Sequence, residues 1–464
     1  MPTNKNIATR RQETRTILAI SFPLMAAYVA EMGMMITDMI IVGRLGSNEL
    51  AAVGLTADWF YVLLLLGMGI ISMVGVLVAE SFGEGNHQAV KDSTEQGMIV
   101  ATICGVPVML AVWYLGPALQ YANQDPDVLR LIRDYSRPLA LGVMPILWFS
   151  VLRNYVAALE KAAGIMTITV VALIANLAIN YALVYGKFGL PALGVTGAAY
   201  GTSIVTWLMF LTLAFHVHNS KTFKKFRVSI IPRTFQRRIC KEIFRLGIPI
   251  TGTEVLGATL FTVTAIMVGM LGAEILAAQM IVYSVLYFGM SASLALGDAI
   301  RVRVAFGIGL RSSAAARQSA SIAISMTAMV SVAASLFLWI FPEALVGIFL
   351  DTSDQANMIV QEIAVGFSVF AGLYLLFDGV LMVVANGLRG LRDTQSTFWI
   401  SMIADWIIGV GVGGWLCFAM GYGATGLWWA LVIGTIIGTV LMFARFRSQF
   451  AVAESRLSTT ATPL

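Results

Sequence analysis

The sequence predicts an all-α integral membrane protein, with twelve transmembrane helices in two pseudo-symmetric six-helix lobes. Three observations carry this. The 464-residue chain is 58 % hydrophobic and 12 % charged, with a mean hydropathy of +0.83, far outside soluble globular composition. Apolar runs of about 20 residues, the length that crosses ~30 Å of hydrocarbon, recur between short polar breaks. The chain also repeats itself: Pro23, Val42-Gly43-Arg44-Leu45-Gly46 and Leu50-Ala51-Ala52 return 226 residues later as Pro249, Val268-Gly269-Met270-Leu271-Gly272 and Leu276-Ala277-Ala278.

In order, the expected spans are residues 17–42, 50–79, 95–115, 133–157, 165–185, 192–215, 246–270, 277–300, 318–341, 359–386, 397–419 and 425–444. Runs this long read as helices, because barrel strands would alternate over shorter segments. Towards the end the repeat slips to an offset of 229: Gly194-Val-Thr-Gly197-Ala198 reappears as Gly423-Ala-Thr-Gly426-Leu427. Each copy holds six spans, an even number, so the second enters the membrane from the same side as the first. The halves are therefore parallel repeats about an axis along the membrane normal. The expected organisation is an amino-terminal lobe (1–216), a basic cytoplasmic linker (217–245), a carboxy-terminal lobe (246–447) and a cytoplasmic tail (448–464). Duplication in so apolar a chain points to a secondary transporter.

The sequence pI is 9.1, and the placement of the charge explains it. Lys221, Lys224, Lys225, Arg227, Arg233, Arg237, Arg238 and Lys241 share the loop between spans six and seven. Arg301, Arg303, Arg311 and Arg317 follow span eight, Arg389 and Arg392 span ten, and Arg445 and Arg447 span twelve, all on the side of Arg10, Arg11 and Arg15. By the positive-inside rule both termini are cytoplasmic. Glu274, Glu343, Asp351 and Asp354 lie on the opposite side. Basicity here reports topology and calls for no nucleic acid. The polar start leads into a span too long for a cleavable signal. Cys104, Cys240 and Cys417 are too widely spaced for a disulfide framework or a metal cluster and read as small buried hydrophobes.

A charged side chain at the bilayer centre costs about 2.5–3.5 kcal/mol on insertion scales, so acids within the spans need a reason. Glu31 and Asp38 lie in span one, Asp58 in span two, Glu254 in span seven, Asp298 in span eight, Asp378 in span ten and Asp405 in span eleven. Lysine is absent from the middles of these spans, and acids without matching bases suit a cationic cargo. Asp298 lies one turn from Arg301, where an ordinary ion pair is the better reading. Asp58 stands near the start of its span, at interfacial depth or functional. Asp38 and Asp378 lie deeper without a sequence-local cation, which favours function. Glu31 and Asp38, two turns apart, share a face, an arrangement suited to proton exchange. Asn176 and Asn180 also share a face; they either complete an oxygen cage with Asp38 or hydrogen-bond between helices.

Thr37-Asp38-Met-Ile-Ile-Val-Gly43-Arg44-Leu-Gly46, Asn176 and Asn180 followed by Tyr185-Gly-Lys-Phe-Gly189, and Asn386-Gly-Leu-Arg389-Gly-Leu-Arg392-Asp393 together resemble the multidrug and toxic compound extrusion (MATE) family, in particular its bacterial NorM branch. The resemblance spans essentially the whole chain. It implies a twelve-helix exporter that exchanges cationic amphiphilic drugs for sodium ions or protons. Asp38 matches the family acid of the first span, with Asn176, Asn180 and Thr202 as polar partners in an amino-lobe cation or proton site. Asp378 with Tyr374 resembles the carboxy-lobe cation site. If sodium is the coupling ion, Asp38 and Asp378 would be its metal ligands. Where NorM-like chains carry an acid in span seven, this chain has Gly257, and Glu254 one turn earlier is the expected substitute. Asn180 stands where the archaeal branch has its second acid. Glu31, Asp58 and Asp405 are possible additional site residues.

The expected function is thus a cation-coupled multidrug antiporter of the bacterial inner membrane. It would be a monomer in lipid without enzymatic activity or cofactor beyond the coupling sodium ion or proton, and its partners would be small cationic drugs or metabolites. Met32, Met34, Met35, Trp59, Phe60 and Tyr61 would either line adaptable drug-binding walls or simply pack between helices. A lipid-linked oligosaccharide flippase could share the architecture, but its pyrophosphate cargo would favour Arg or Lys in the spans. A polyprenyl-diphosphate enzyme would need paired acids for magnesium; Asp351 and Asp354 read better as a solvated turn. At the repeat offsets Asp38 falls on Thr264, Glu31 on Gly257, Asp378 on Phe149 and Asn176 on Asp405, so the copies differ where the ion chemistry lies.

Overall fold

The computed structural model describes residues 9–120, 125–226, 228–229, 234–350 and 357–459; Asp351 and Asp354 lie outside them. Among the described residues no strand occurs. Among the described residues eleven helices are long and apolar enough to cross a membrane, or twelve when one bent pair counts as a span. In chain order the α-helices, short ones included, begin with α1 (Arg10–Gly43), α2 (Ser47–Gly83), α3 (His87–Trp113), the short α4 (Leu115–Leu119), α5 (Pro126–Ala140), α6 (Val143–Ala158), α7 (Ala163–Tyr185) and α8 (Gly194–Asn219). They are followed by α9 (Arg237–Gly269), α10 (Ala273–Gly309), α11 (Ser313–Ile340), the short α12 (Pro342–Val346), α13 (Met358–Gly390), α14 (Thr394–Ser401) and α15 (Gly423–Thr459). The span read at 133–157 is the bent pair: α5 and α6 meet at 44°. Pro138, inside α5, cannot donate a backbone hydrogen bond, and the helix stops two residues later.

The repeat recurs as backbone conformation. At an offset of 226, Gly85 (φ 73°) and Arg311 (φ 55°) both turn left-handed. The next residues, Asn86 and Ser312, both cap the following helix by accepting from the amides of Ala89 and Ala315. Glu160 (φ 62°) and Arg392 (φ 64°) match at an offset of 232, and Gly194 (φ 55°) and Gly423 (φ 59°) at 229. The register thus slips twice between the copies. The second slip falls across the eleventh span, where the copy of the regular α7 is α14 followed by π-wound segments at Met402–Val412 and Trp415–Ala419.

Two compact units result, residues 22–251 and residues 1–21 with 252–464. The divisions cut α1 after Ser21 and α9 after Thr251, close to Pro23 and Pro249. In the first unit, Gly247 lets α9 lie on α2: a Cβ there would sit 2.5 Å from Ile70 Cα. The linker is fastened to α3 of the same unit. Fully buried Gln96 donates to the Thr234 carbonyl (2.8 Å) and accepts from the Gln236 amide (2.9 Å) and the Cys240 thiol (3.3 Å). Glu95 Oε1 accepts from the Ser229 amide at 2.9 Å. In the second unit, Glu13 takes a bidentate bond from Arg303 (Nε 2.7 Å, Nη2 2.6 Å) and one from Ser319 Oγ (2.6 Å). All three are buried, so the first turn of α1 is held by charge-assisted bonds. An aromatic core around Trp428, Tyr283, Phe261 and Tyr374 surrounds α13 in this unit.

Candidate cation-binding sites

On α7, Thr169, Ala172, Asn176 and Asn180 are buried, whereas Val171, Ile174, Leu177 and Tyr181 are exposed. Steps of three and four residues thus separate an inward polar face from an outward apolar one fit for lipid. The inward face meets Asp38 of α1. The Asn180 side-chain amide donates to Asp38 Oδ1, and Thr202 Oγ1 of α8 donates to Oδ2 at 2.9 Å. Gly201 makes room for this: a Cβ there would collide with Asn180 Oδ1. Asn176 offers its amide to the same carboxylate, and its amide oxygen has no hydrogen-bonding partner. Asn180 Oδ1 is also unpartnered, and both asparagines are at most 1 % exposed. The arrangement is a buried carboxylate whose partners are neutral, ringed by amide and hydroxyl oxygens. Such a donor set suits a hard monovalent cation or a proton. Tyr135 of α5, also buried, lies within electrostatic reach of Asp38.

Glu31 does not join this group. Its Oε1 lies 3.0 Å from Arg153 Nη1, and the same guanidinium sits over the Tyr28 ring at 5.2 Å. Sequence reading passed over Arg153, although an arginine inside an apolar span needs a counter-charge. Asp58 is exposed on α2.

In the second unit, Asp378 of α13 is 7 % exposed. Its carboxylate takes a hydrogen bond from Tyr374, one turn back on the same helix, and its Oδ2 has no partner. Asp405, half-buried in the first π-wound segment, lies within electrostatic reach of both Asp378 and Tyr374. Glu254 is placed elsewhere. Its Oε1 lies 2.7 Å from Nη1 of buried Arg389, which stands 11 residues beyond Asp378 on α13, roughly 16 Å along a helix at 1.5 Å per residue. Asp298 pairs with Arg301 Nη2 at 2.7 Å, the ordinary ion pair its spacing suggested. At Thr264, the repeat counterpart of Asp38, the hydroxyl meets Tyr283 Oη at 2.8 Å, and Gln279 donates to that Oη at 3.0 Å. The carboxy-terminal copy therefore holds a neutral network where the amino-terminal copy holds an acid. Among the six apolar residues read as drug-wall candidates, Met35, Trp59 and Tyr61 are exposed.

A duplicated, many-span helical chain with a buried acidic centre in each copy defines a polytopic membrane protein of the repeat-built transporter class. A family model described as MatE matches residues 23–182 and 249–414, the two copies of the repeat. The chain belongs to the MatE family. It is 33 % identical over 441 residues to a protein of Synechococcus sp. named as a probable multidrug resistance protein NorM, covering 95 % of each chain. A probable NorM of Pseudomonas aeruginosa is 32 % identical over 93 % of this chain and 89 % of its own. The fold superposes on a crystal structure of a MATE protein in a bent conformation with a TM-score of 0.88 at 18 % identity, covering 98 % of this chain and 100 % of that one.

Proposed function

We propose that this chain is a secondary active multidrug efflux antiporter of the bacterial inner membrane, with both termini cytoplasmic. It exports small cationic amphiphiles in exchange for sodium ions or protons by alternating access. The observation that carries the reading is Asp38: a buried carboxylate whose hydrogen-bonding neighbours Asn180, Thr202 and Asn176 are all neutral, flanked by unpartnered amide oxygens. The naming of both relatives as multidrug resistance proteins supports efflux. Inward movement of one charge releases about 2.3 kcal/mol per 100 mV of membrane potential, enough to bias a conformational cycle. Cation and drug then work against each other only if each binds the inward and outward forms with different affinity. Arg153 and Arg389 offer nothing to a pyrophosphate cargo, because they already face Glu31 and Glu254.

The test is ethidium efflux from proteoliposomes, with sodium and pH gradients imposed separately. Efflux driven by one gradient is expected, and Asp38→Asn should abolish the response while the protein still inserts. Efflux indifferent to both gradients, or undiminished in Asp38→Asn, would overturn the reading.

A further inference from the structure

Resting on that reading, and on the resemblance of Asp378 and Tyr374 to the family's carboxy-lobe cation site, we infer that Asp405 is the second carboxylate of that site in this chain. Asp378 and Asp405, with the Tyr374 hydroxyl, hold one monovalent cation of the driving gradient, and the second acid is supplied by the π-wound eleventh span.

Asp378 provides the first half of the argument. Buried carboxylate oxygens are almost always hydrogen-bonded, yet Asp378 Oδ2 has no partner while Tyr374 binds the same group. The acid that α9 offers is engaged with Arg389. Asp405 is the remaining carboxylate within reach of both Asp378 and Tyr374.

The second half is how Asp405 is brought there. Residues 402–412 are wound as a π-helix, a form that recurs at functional sites because its wider turn re-aims side chains. The winding is supported on both sides. The Trp406 indole donates to the Leu256 carbonyl of α9 at 3.2 Å. On the other side Gly434 and Gly438 of α15 accommodate the segment: a Cβ at Gly434 would collide with the Ala404 carbonyl, and one at Gly438 would lie 2.9 Å from Ala404 Cβ and 2.7 Å from Leu381 Cδ1. Gly438 thus meets the residue beside Asp405 and a residue one turn from Asp378. The rings of Phe261 and Tyr374, 6.3 Å apart, close α9 onto the same place. At the 229-residue offset, Asp405 falls on Asn176, which stands beside the acid of the other copy.

Charge then dictates the ligand. Two carboxylates this near one another in an apolar setting repel and are poorly solvated, and a single positive charge between them relieves both penalties. Tyr374 adds a neutral oxygen donor. Beside the Leu256 carbonyl, the space in front of Gly257 is open, with no atom within 4 Å of a Cβ built there. Residue 257 therefore has room for a longer side chain.

The experiment uses the full-length chain in ethidium-loaded proteoliposomes, with sodium and pH gradients in separate arms that identify the cation. A wild type that answers to neither gradient overturns the proposed function itself. Given a responsive wild type, Asp405→Asn is expected to lower gradient-driven efflux by at least about tenfold while the purified protein still binds ethidium. Asp405→Glu should retain the response. Full gradient-driven efflux in Asp405→Asn would overturn the inference. If Asp405→Asn does not insert, Asp405→Glu and Asp405→Ser decide: gradient-driven efflux in Asp405→Glu alone supports the carboxylate requirement, and efflux in both or in neither overturns it.

Discussion

The Glu254 carboxylate and the Arg389 guanidinium lie 2.7 Å apart, and the arginine side chain is 6 % exposed against 32 % for its partner. The acid therefore neutralises a buried base. Removing one member of such a pair leaves the other charge stranded, whereas replacing both with apolar groups is often tolerated. Glu254→Gln is expected to destabilise the protein by about 1–3 kcal/mol, towards the low side because the acid is a third exposed. Glu254→Gln with Arg389→Met should recover most of that loss in thermal unfolding of the solubilised protein. The opposite pattern, unchanged unfolding with lost cation dependence, would assign Glu254 to the cation instead.

Glu31 is held in a similar way by Arg153, at 3.0 Å, with the guanidinium also covering Tyr28. Its side chain is 34 % exposed, so water screens the pair. Glu31→Gln is expected to cost about 1 kcal/mol or less and to leave the sodium and proton dependence of efflux unchanged. Loss of gradient-driven efflux in a normally folded Glu31→Gln protein would return Glu31 to the ion pathway and strengthen the symmetry with residue 257.

These two pairs show where the sequence was legible. Spans were readable because a membrane demands about 20 apolar residues whatever the side chains touch. Their ends were not, since α13 runs on to Gly390 and α15 to Thr459 through polar residues that keep helical hydrogen bonding outside hydrocarbon. Asp38, Asn176, Asn180 and Thr202 are close in space because two of them share a helix face, a periodicity that can be read off the sequence. Asp405 was legible only as an acid in a span. It lies in a π-wound segment, for which residues 402–412 give no sign beyond Gly409 and Gly411. Glu254 illustrates the converse. Nearness along a helix to an expected site does not reveal which neighbour the side chain turns to.

At Gly201 the requirement for glycine is steric. A Cβ would collide with Asn180 Oδ1, so Gly201→Ala must push the amide away from Asp38. We expect the variant to insert and fold but to show a gradient-driven efflux about tenfold weaker, because one hydrogen bond to the charged group is lost. Gly54 on α2 is the control: nothing lies within 4 Å of its Cβ position, and alanine favours helix by up to about 1 kcal/mol. Gly54→Ala should transport normally. Equal efflux in Gly201→Ala and Gly54→Ala would show that the position of Asn180 is irrelevant to coupling.

Gln96 tests the fastening of the linker. Its side chain is fully buried and bonds three groups between Thr234 and Cys240, so Gln96→Ala leaves the Gln236 amide and the Thr234 carbonyl to find water. The cost is about 1–3 kcal/mol, confined to a local opening of the segment rather than to the whole fold. Trypsin should then cut beside Lys224, Lys225, Arg237 or Arg238 about tenfold faster or more, in proportion to the larger open population. With this loop on the cytoplasmic side, cleavage should occur in everted vesicles and not in intact spheroplasts. Cleavage from the outer face would reverse the topology, and an unchanged rate in everted vesicles would show that Gln96 does not restrain the linker.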